Sequence, residues 1–76
     1  MNEKFEKILS AYTAVTPPYR RDIRLHSDLG ISSLTMVELI LALEEDFEIE
    51  FDLDTLDTTQ PLTVGYLADL VENHAN

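Results

Sequence analysis

Cysteine is absent from this chain, so neither a disulfide nor a thiolate metal site can hold it together. Histidine is scarce: His26 and His74 lie far apart and are too few for a histidine-rich site. Basic side chains number only 5 against 15 acidic ones, a formal net charge of -10. That balance disfavours nucleic-acid phosphates and anionic lipid and calls for partners with positive surface. Long apolar runs are missing too. The longest, Leu39 to Leu43, falls far short of the roughly 20 residues that span a bilayer. Met1-Asn2-Glu3-Lys4 does not start a signal peptide, so a cytoplasmic protein is expected.

What is present is a chain of 76 residues, 45% hydrophobic. This length predicts a single domain over residues 1–76, near the lower size limit for a core without staples. The apolar residues are periodic, which argues against an acidic disordered segment. Phe5, Ile8, Leu9, Tyr12 and Val15 recur at three- and four-residue steps between charged residues and predict an amphipathic helix over about 3–15. Thr16-Pro17-Pro18 ends it, because proline lacks an amide donor and disfavours helical geometry in the residue before it. A long loop is expected from Pro17 to Ser32, with Leu25 and Leu29 as apolar anchors. A second helix begins at Ser32 or Ser33, where a hydroxyl suits the N-cap, and runs through Phe47 without Gly or Pro. The acidic stretch 52–57 forms one short helical turn or a loop. After Pro61, Thr63 can cap a last helix with Val64, Leu67, Ala68 and Val71 on one stripe, fraying near Asn73. No segment alternates as a strand does, and no internal repeat is visible. The expected fold is all-α, a bundle of three main helices and one short one.

The second helix has two unlike faces. At about 100° per residue, Met36, Leu39, Ile40, Leu43 and Phe47 share a side and supply core. Leu34, Glu38, Leu41, Glu45 and Glu48 occupy the other. Those two leucines among three carboxylates are either incidental exposure on a solvated face, or a docking strip in which the leucines give buried contact and the acids steer basic partners.

The most specific segment is Asp28-Leu29-Gly30-Ile31-Ser32-Ser33-Leu34-Thr35-Met36-Val37-Glu38-Leu39. It resembles the acyl carrier protein signature, in which Asp-Leu-Gly, one variable residue, Asp and then Ser-Leu open a helix continuing as Val-Glu-Leu. The likeness extends through Ala42-Leu43-Glu44-Glu45-Asp46-Phe47, takes in Leu25 and loosens toward both ends. It implies a carrier without catalytic residues, bearing 4'-phosphopantetheine, delivered from coenzyme A by a phosphopantetheinyl transferase, on Ser33. The arm's terminal thiol would carry acyl groups as thioesters to acyl transferases, ketosynthases and other acyl-processing enzymes with basic docking surfaces, the protein acting as a monomer. A groove between the second and last helices, lined by Met36, Ile40, Leu56 and Leu67, would shelter the acyl chain. Fatty acid synthesis, polyketide synthesis and specialised lipid assembly all use such carriers. The chain departs from the signature at Ser32, where Asp is usual, which sets two hydroxyls side by side and removes a negative charge. Arg20, Arg21 and Arg24 form a basic cluster that either offsets nearby acids or selects a partner.

Independently of the resemblance, a hydroxyl at a helix N-terminus is exposed, and a phosphodiester there meets free N–H groups and the positive end of the helix dipole. A serine so placed is, by itself, more often a plain N-cap. Other chemistries fit less well. Gly30-Ile31-Ser32-Ser33-Leu34 lacks the second glycine of a nucleophile elbow. Asp52, Asp54 and Asp57 miss the spacing and the glycine of a calcium loop, so no metal site is expected. The competing reading is an unmodified acidic helical module, either an adaptor or an inhibitor mimicking nucleic-acid charge.

Overall fold

The computed structural model describes residues 2–51 and 61–74. These contain α1 (Glu3–Ser10), α2 (Ser33–Phe47) and α3 (Val64–His74) and no strand, only an isolated antiparallel bridge between Arg24 and Thr63. The short helical turn expected at 52–57 lies outside the described residues. Among them, no helix is long and apolar enough to cross a membrane.

Asn2 starts α1 by accepting the Lys4 and Phe5 N–H groups on Oδ1, at 2.7 and 3.4 Å. Phe5 and Leu9 are buried, with Ile8 and Tyr12 packed beside them. The helix stops at Ser10, not near residue 15 as the periodicity suggested. Ala11 and Tyr12 N–H reach Ile8 and Leu9 carbonyls, three residues back, tightening the last turn. The Thr13 hydroxyl then donates to the Leu29 carbonyl at 2.8 Å, and the Tyr19 hydroxyl donates to the Val15 carbonyl at 2.7 Å. Side-chain bonds from the loop thus replace further helical turns, and Val15 is exposed rather than part of the stripe.

The loop carries as much core as a helix would. Leu25 and Leu29 are buried as anticipated, joined by Tyr19 and Ile31. Tyr19 is held by its N–H, which donates to Glu6 Oε2 at 3.0 Å, and its phenol is pushed above the ordinary tyrosine range by burial and, secondarily, by the Glu6 carboxylate. The middle of the loop is laced to the start of α3. Gly65 N–H donates to Arg21 O, Val64 N–H to Ile23 O and Leu25 N–H to Leu62 O, each at 2.9 Å. Gly65 permits this approach, since a Cβ there would lie 2.9 Å from Arg21 Cβ and 3.0 Å from Arg21 O.

Thr63 caps α3 as expected, its hydroxyl accepting the Tyr66 N–H at 3.1 Å, and Val64, Leu67, Ala68 and Val71 are all buried. The core also takes Leu39, Ile40 and Leu43 from α2 and Phe51 beyond it. α2 ends where Glu48 adopts a left-handed conformation, φ 54°, with its N–H donating to Glu44 O. Lys4 ties α1 to the end of α2: Nζ donates to the Asp46 carbonyl at 2.6 Å and sits 4.8 Å from the centre of the Phe47 ring. Lys4 therefore fixes the N-terminus of α1 beside the C-terminus of α2.

Candidate functional site

The turn that leads into α2 is closed by its own main chain. Asp28 and Leu29 N–H donate to Arg24 O, Gly30 N–H to His26 O and Ile31 N–H to Leu25 O. Gly30 makes the reversal at φ 70°, in the left-handed region that glycine enters without a Cβ penalty. Asp28 Oδ2 accepts the Arg24 N–H at 2.8 Å, returning the bond that Arg24 O receives. His26 Nδ1 lies 3.0 Å from Ile31 O, and because a carbonyl only accepts, this nitrogen carries the proton. His26 is thereby a brace for the turn, exposed to solvent. The brace of Asp28 and His26 was not foreseen. Asp two residues before a glycine in a turn is the signal that could have shown it.

The turn delivers two adjacent hydroxyls with different roles. Ser32, with extended backbone (ψ 170°), is the N-cap of α2: its Oγ accepts the Thr35 N–H at 3.2 Å and donates to Thr35 Oγ1 at 3.1 Å. Ser33 is the first helical residue and exposed, and among the described residues no hydrogen bond holds its hydroxyl. The first turn of α2 contains no acidic side chain. An anion on Ser33 Oγ would therefore meet the positive end of the helix without a neighbouring carboxylate in that turn, and the residues present fit a phosphodiester.

Past Ser33, the exposed side of α2 carries Leu34 at 74% exposure, Leu41 at 58% and, between them, Val37 at 49%. Glu38, Glu45 and Glu48 are exposed on the same helix, Glu48 as its left-handed cap. Val37 was missed because it sits at the edge of the face, yet its spacing of three from Leu34 and four from Leu41 is that of one stripe. Ile40 and Leu67 are buried in the shared core and Met36 is half-buried against it. Leu56 lies outside the described residues.

The basic cluster divides. Arg20 pairs with Asp22 at 2.9 Å, both exposed. Arg21 pairs with Asp69 of α3 at 2.7 Å, a bond that raises the guanidinium pKa further, while the Arg24 side chain has no ion pair among the described residues. Two of the three thus offset local acids. No group of His, Asp and Glu able to hold a metal occurs among the described residues.

Comparison with known proteins bears directly on this site. Residues 4–71 match the family described as phosphopantetheine attachment site. The chain is similar to the mitochondrial acyl carrier protein of Saccharomyces cerevisiae, 43% identical over 49 residues, 62% of this chain and 39% of that protein. It is likewise similar to an acyl carrier protein of a Sulfurovum species, 41% identical over 54 residues, 71% of this chain and 69% of that one. The chain thus matches well under half the length of the yeast relative and just over two thirds of the bacterial one.

Proposed function

This chain belongs to the acyl carrier protein family, whose members carry phosphopantetheine and are not enzymes, and on that premise we propose that Ser33 is the attachment residue. The observation that supports it is the division of labour between the two serines: Ser32 is committed to the N-cap, and Ser33 presents an exposed hydroxyl that nothing among the described residues holds. In the transfer step the Ser33 oxygen forms the bond to phosphorus, loses its proton, and the nucleotide part of coenzyme A leaves. The helix N-terminus then stabilises the resulting phosphodiester through N–H groups that lack helical partners. Once attached, the arm supplies the thiol that this cysteine-free chain does not have, and with it the means to carry an acyl group.

Partner enzymes approach along the stripe Leu34, Val37 and Leu41, where the apolar side chains supply buried contact and Glu38, Glu45 and Glu48 steer a basic surface. Met36 and Ile40 of α2, which share the core with Leu67 of α3, line the groove that shelters the acyl chain. The whole of 1–76 acts as one carrier domain, a cytoplasmic monomer serving fatty acid, polyketide or related synthesis. Retention of a capping hydroxyl at Ser32, where the signature has Asp, keeps the helix start and removes one charge from the transferase's view. The experiment is intact mass after incubation with coenzyme A and a broad-specificity phosphopantetheinyl transferase. Wild type and Ser32→Ala should gain the arm and Ser33→Ala should not. Loss of the gain in Ser32→Ala alone would move the site, and no gain in wild type would favour the unmodified adaptor.

A further inference from the structure

A cleft of about 450 Å³ lies between α1 and α2. Ile8 and Tyr12, both half-buried, give it apolar walls, and the small side chains of Ala11 and Ala42 leave the space between them open. Its charges are sorted by position. Lys4 and Asp46 close one end, where Lys4 Nζ is already bonded to the Asp46 carbonyl and stacked on Phe47. Lys7 lines the cleft one turn further along α1; it is exposed, and among the described residues no carboxylate pairs with it. Among the residues lining the cleft the one carboxylate is Asp46, at the Lys4 end, so Lys7 leaves the other end cationic on a chain of net charge -10. The cleft also adjoins the exposed stripe: Ala42 follows Leu41 and lies one turn beyond Glu38 on α2.

We propose that this cleft is a second docking subsite, of charge opposite to the α2 face, which seats an apolar side chain of an acyl-processing enzyme with a carboxylate of that enzyme against Lys7. The inference rests on the carrier reading. An enzyme covering Leu41 and Glu38 reaches the lip of the cleft without further movement, so basic groups on the enzyme meet the α2 acids while one acid meets Lys7. That pairing rejects enzymes that are merely basic, because a second cation placed there is repelled. A second copy of this chain is the other candidate occupant, but two chains each of net charge -10 repel on approach.

The test uses the full chain, first loaded with the arm and checked by intact mass, with an acyltransferase and a ketosynthase from the same organism. kcat/KM is measured for wild type, Lys7→Glu and Ala11→Trp, with thermal melts and sedimentation of each. For at least one enzyme, Lys7→Glu should lower kcat/KM about tenfold through KM, with the penalty shrinking as salt rises, because the new repulsion is screened. Ala11→Trp, which fills the cleft from an exposed position, should do the same independently of salt; if it does not fold, Lys7→Glu decides alone. The proposal is overturned if neither enzyme changes by more than twofold with Lys7→Glu, or if wild type is a dimer that this variant dissociates. A wild type that takes up no arm instead brings down the carrier reading, and this inference with it.

Discussion

The residues before Ser33 and those after it are built on opposite plans. From Arg24 to Ile31 the chain folds back on itself, pairs most of its N–H groups within the turn and buries Leu25, Leu29 and Ile31. From Leu34 to Leu41 the helix needs no help from its outer face, and three apolar side chains stand in solvent there. The contrast teaches that Ser33, the proposed attachment point, is positioned from upstream, and that the face proposed for partners lies downstream. A turn braced by main-chain bonds sets where α2 begins and so where Ser33 stands, while the outer surface that follows is not needed for stability.

The harshest way to break that contrast is to empty the upstream turn. Leu25 is fully buried, so Leu25→Ala should cost about 2–5 kcal/mol in a denaturant titration, a large share of the stability of so small a domain. A cost below about 1 kcal/mol would show that the turn is not the platform described. Next in size, Ser32→Ala removes the cap of α2 and should cost about 1 kcal/mol while leaving arm attachment in place. If the variant is as stable as wild type, the two serines are interchangeable and their division of labour disappears.

A pH series tests a different part of the upstream loop. The Tyr19 phenol is raised above its ordinary value in the folded state, so folding favours the protonated form. The corresponding stability is whole below the unfolded value of about 10 and is lost as pH rises through the folded one. Melts across this range should fall more steeply for wild type than for Tyr19→Phe, and parallel curves would count against the shift. The smallest effect is expected downstream. Leu41→Ala should change stability by less than about 0.5 kcal/mol and act chiefly by speeding dissociation of partner enzymes. A large loss of stability there would mean that the exposed stripe is structural.

The sequence made α2 legible nearly to the residue, since a hydroxyl start, a run without Gly or Pro and a 3.6-residue period all agree. The stripe of α3 was legible on the same grounds, as was the pairing of Leu25 and Leu29 as loop anchors. What resisted reading depends on contacts distant in sequence. The end of α1 is decided by Thr13 bonding to Leu29 and by Tyr19 reaching back to Val15, and no local pattern announces either. Tyr19 and Ile31 are buried from a loop, where there is no period to reveal a face. Ser32 and Ser33 are chemically identical neighbours, and only the extended backbone of the first separates cap from exposed hydroxyl. Arg21 belongs to α3 through Asp69 and the close approach at Gly65, a relation invisible along the chain.

The left-handed Glu48 that stops α2 also sets a length. Fifteen helical residues precede it, and at 1.5 Å each they span about 22 Å from Ser33 to the end of the helix. With the arm on Ser33 as proposed, the helix is a ruler with the tether at zero and the last carboxylates near its far mark. An enzyme that grips Glu45 and Glu48 has its active-site entrance positioned about four turns away, so carriers with a longer or shorter α2 would present the same charges at the wrong distance.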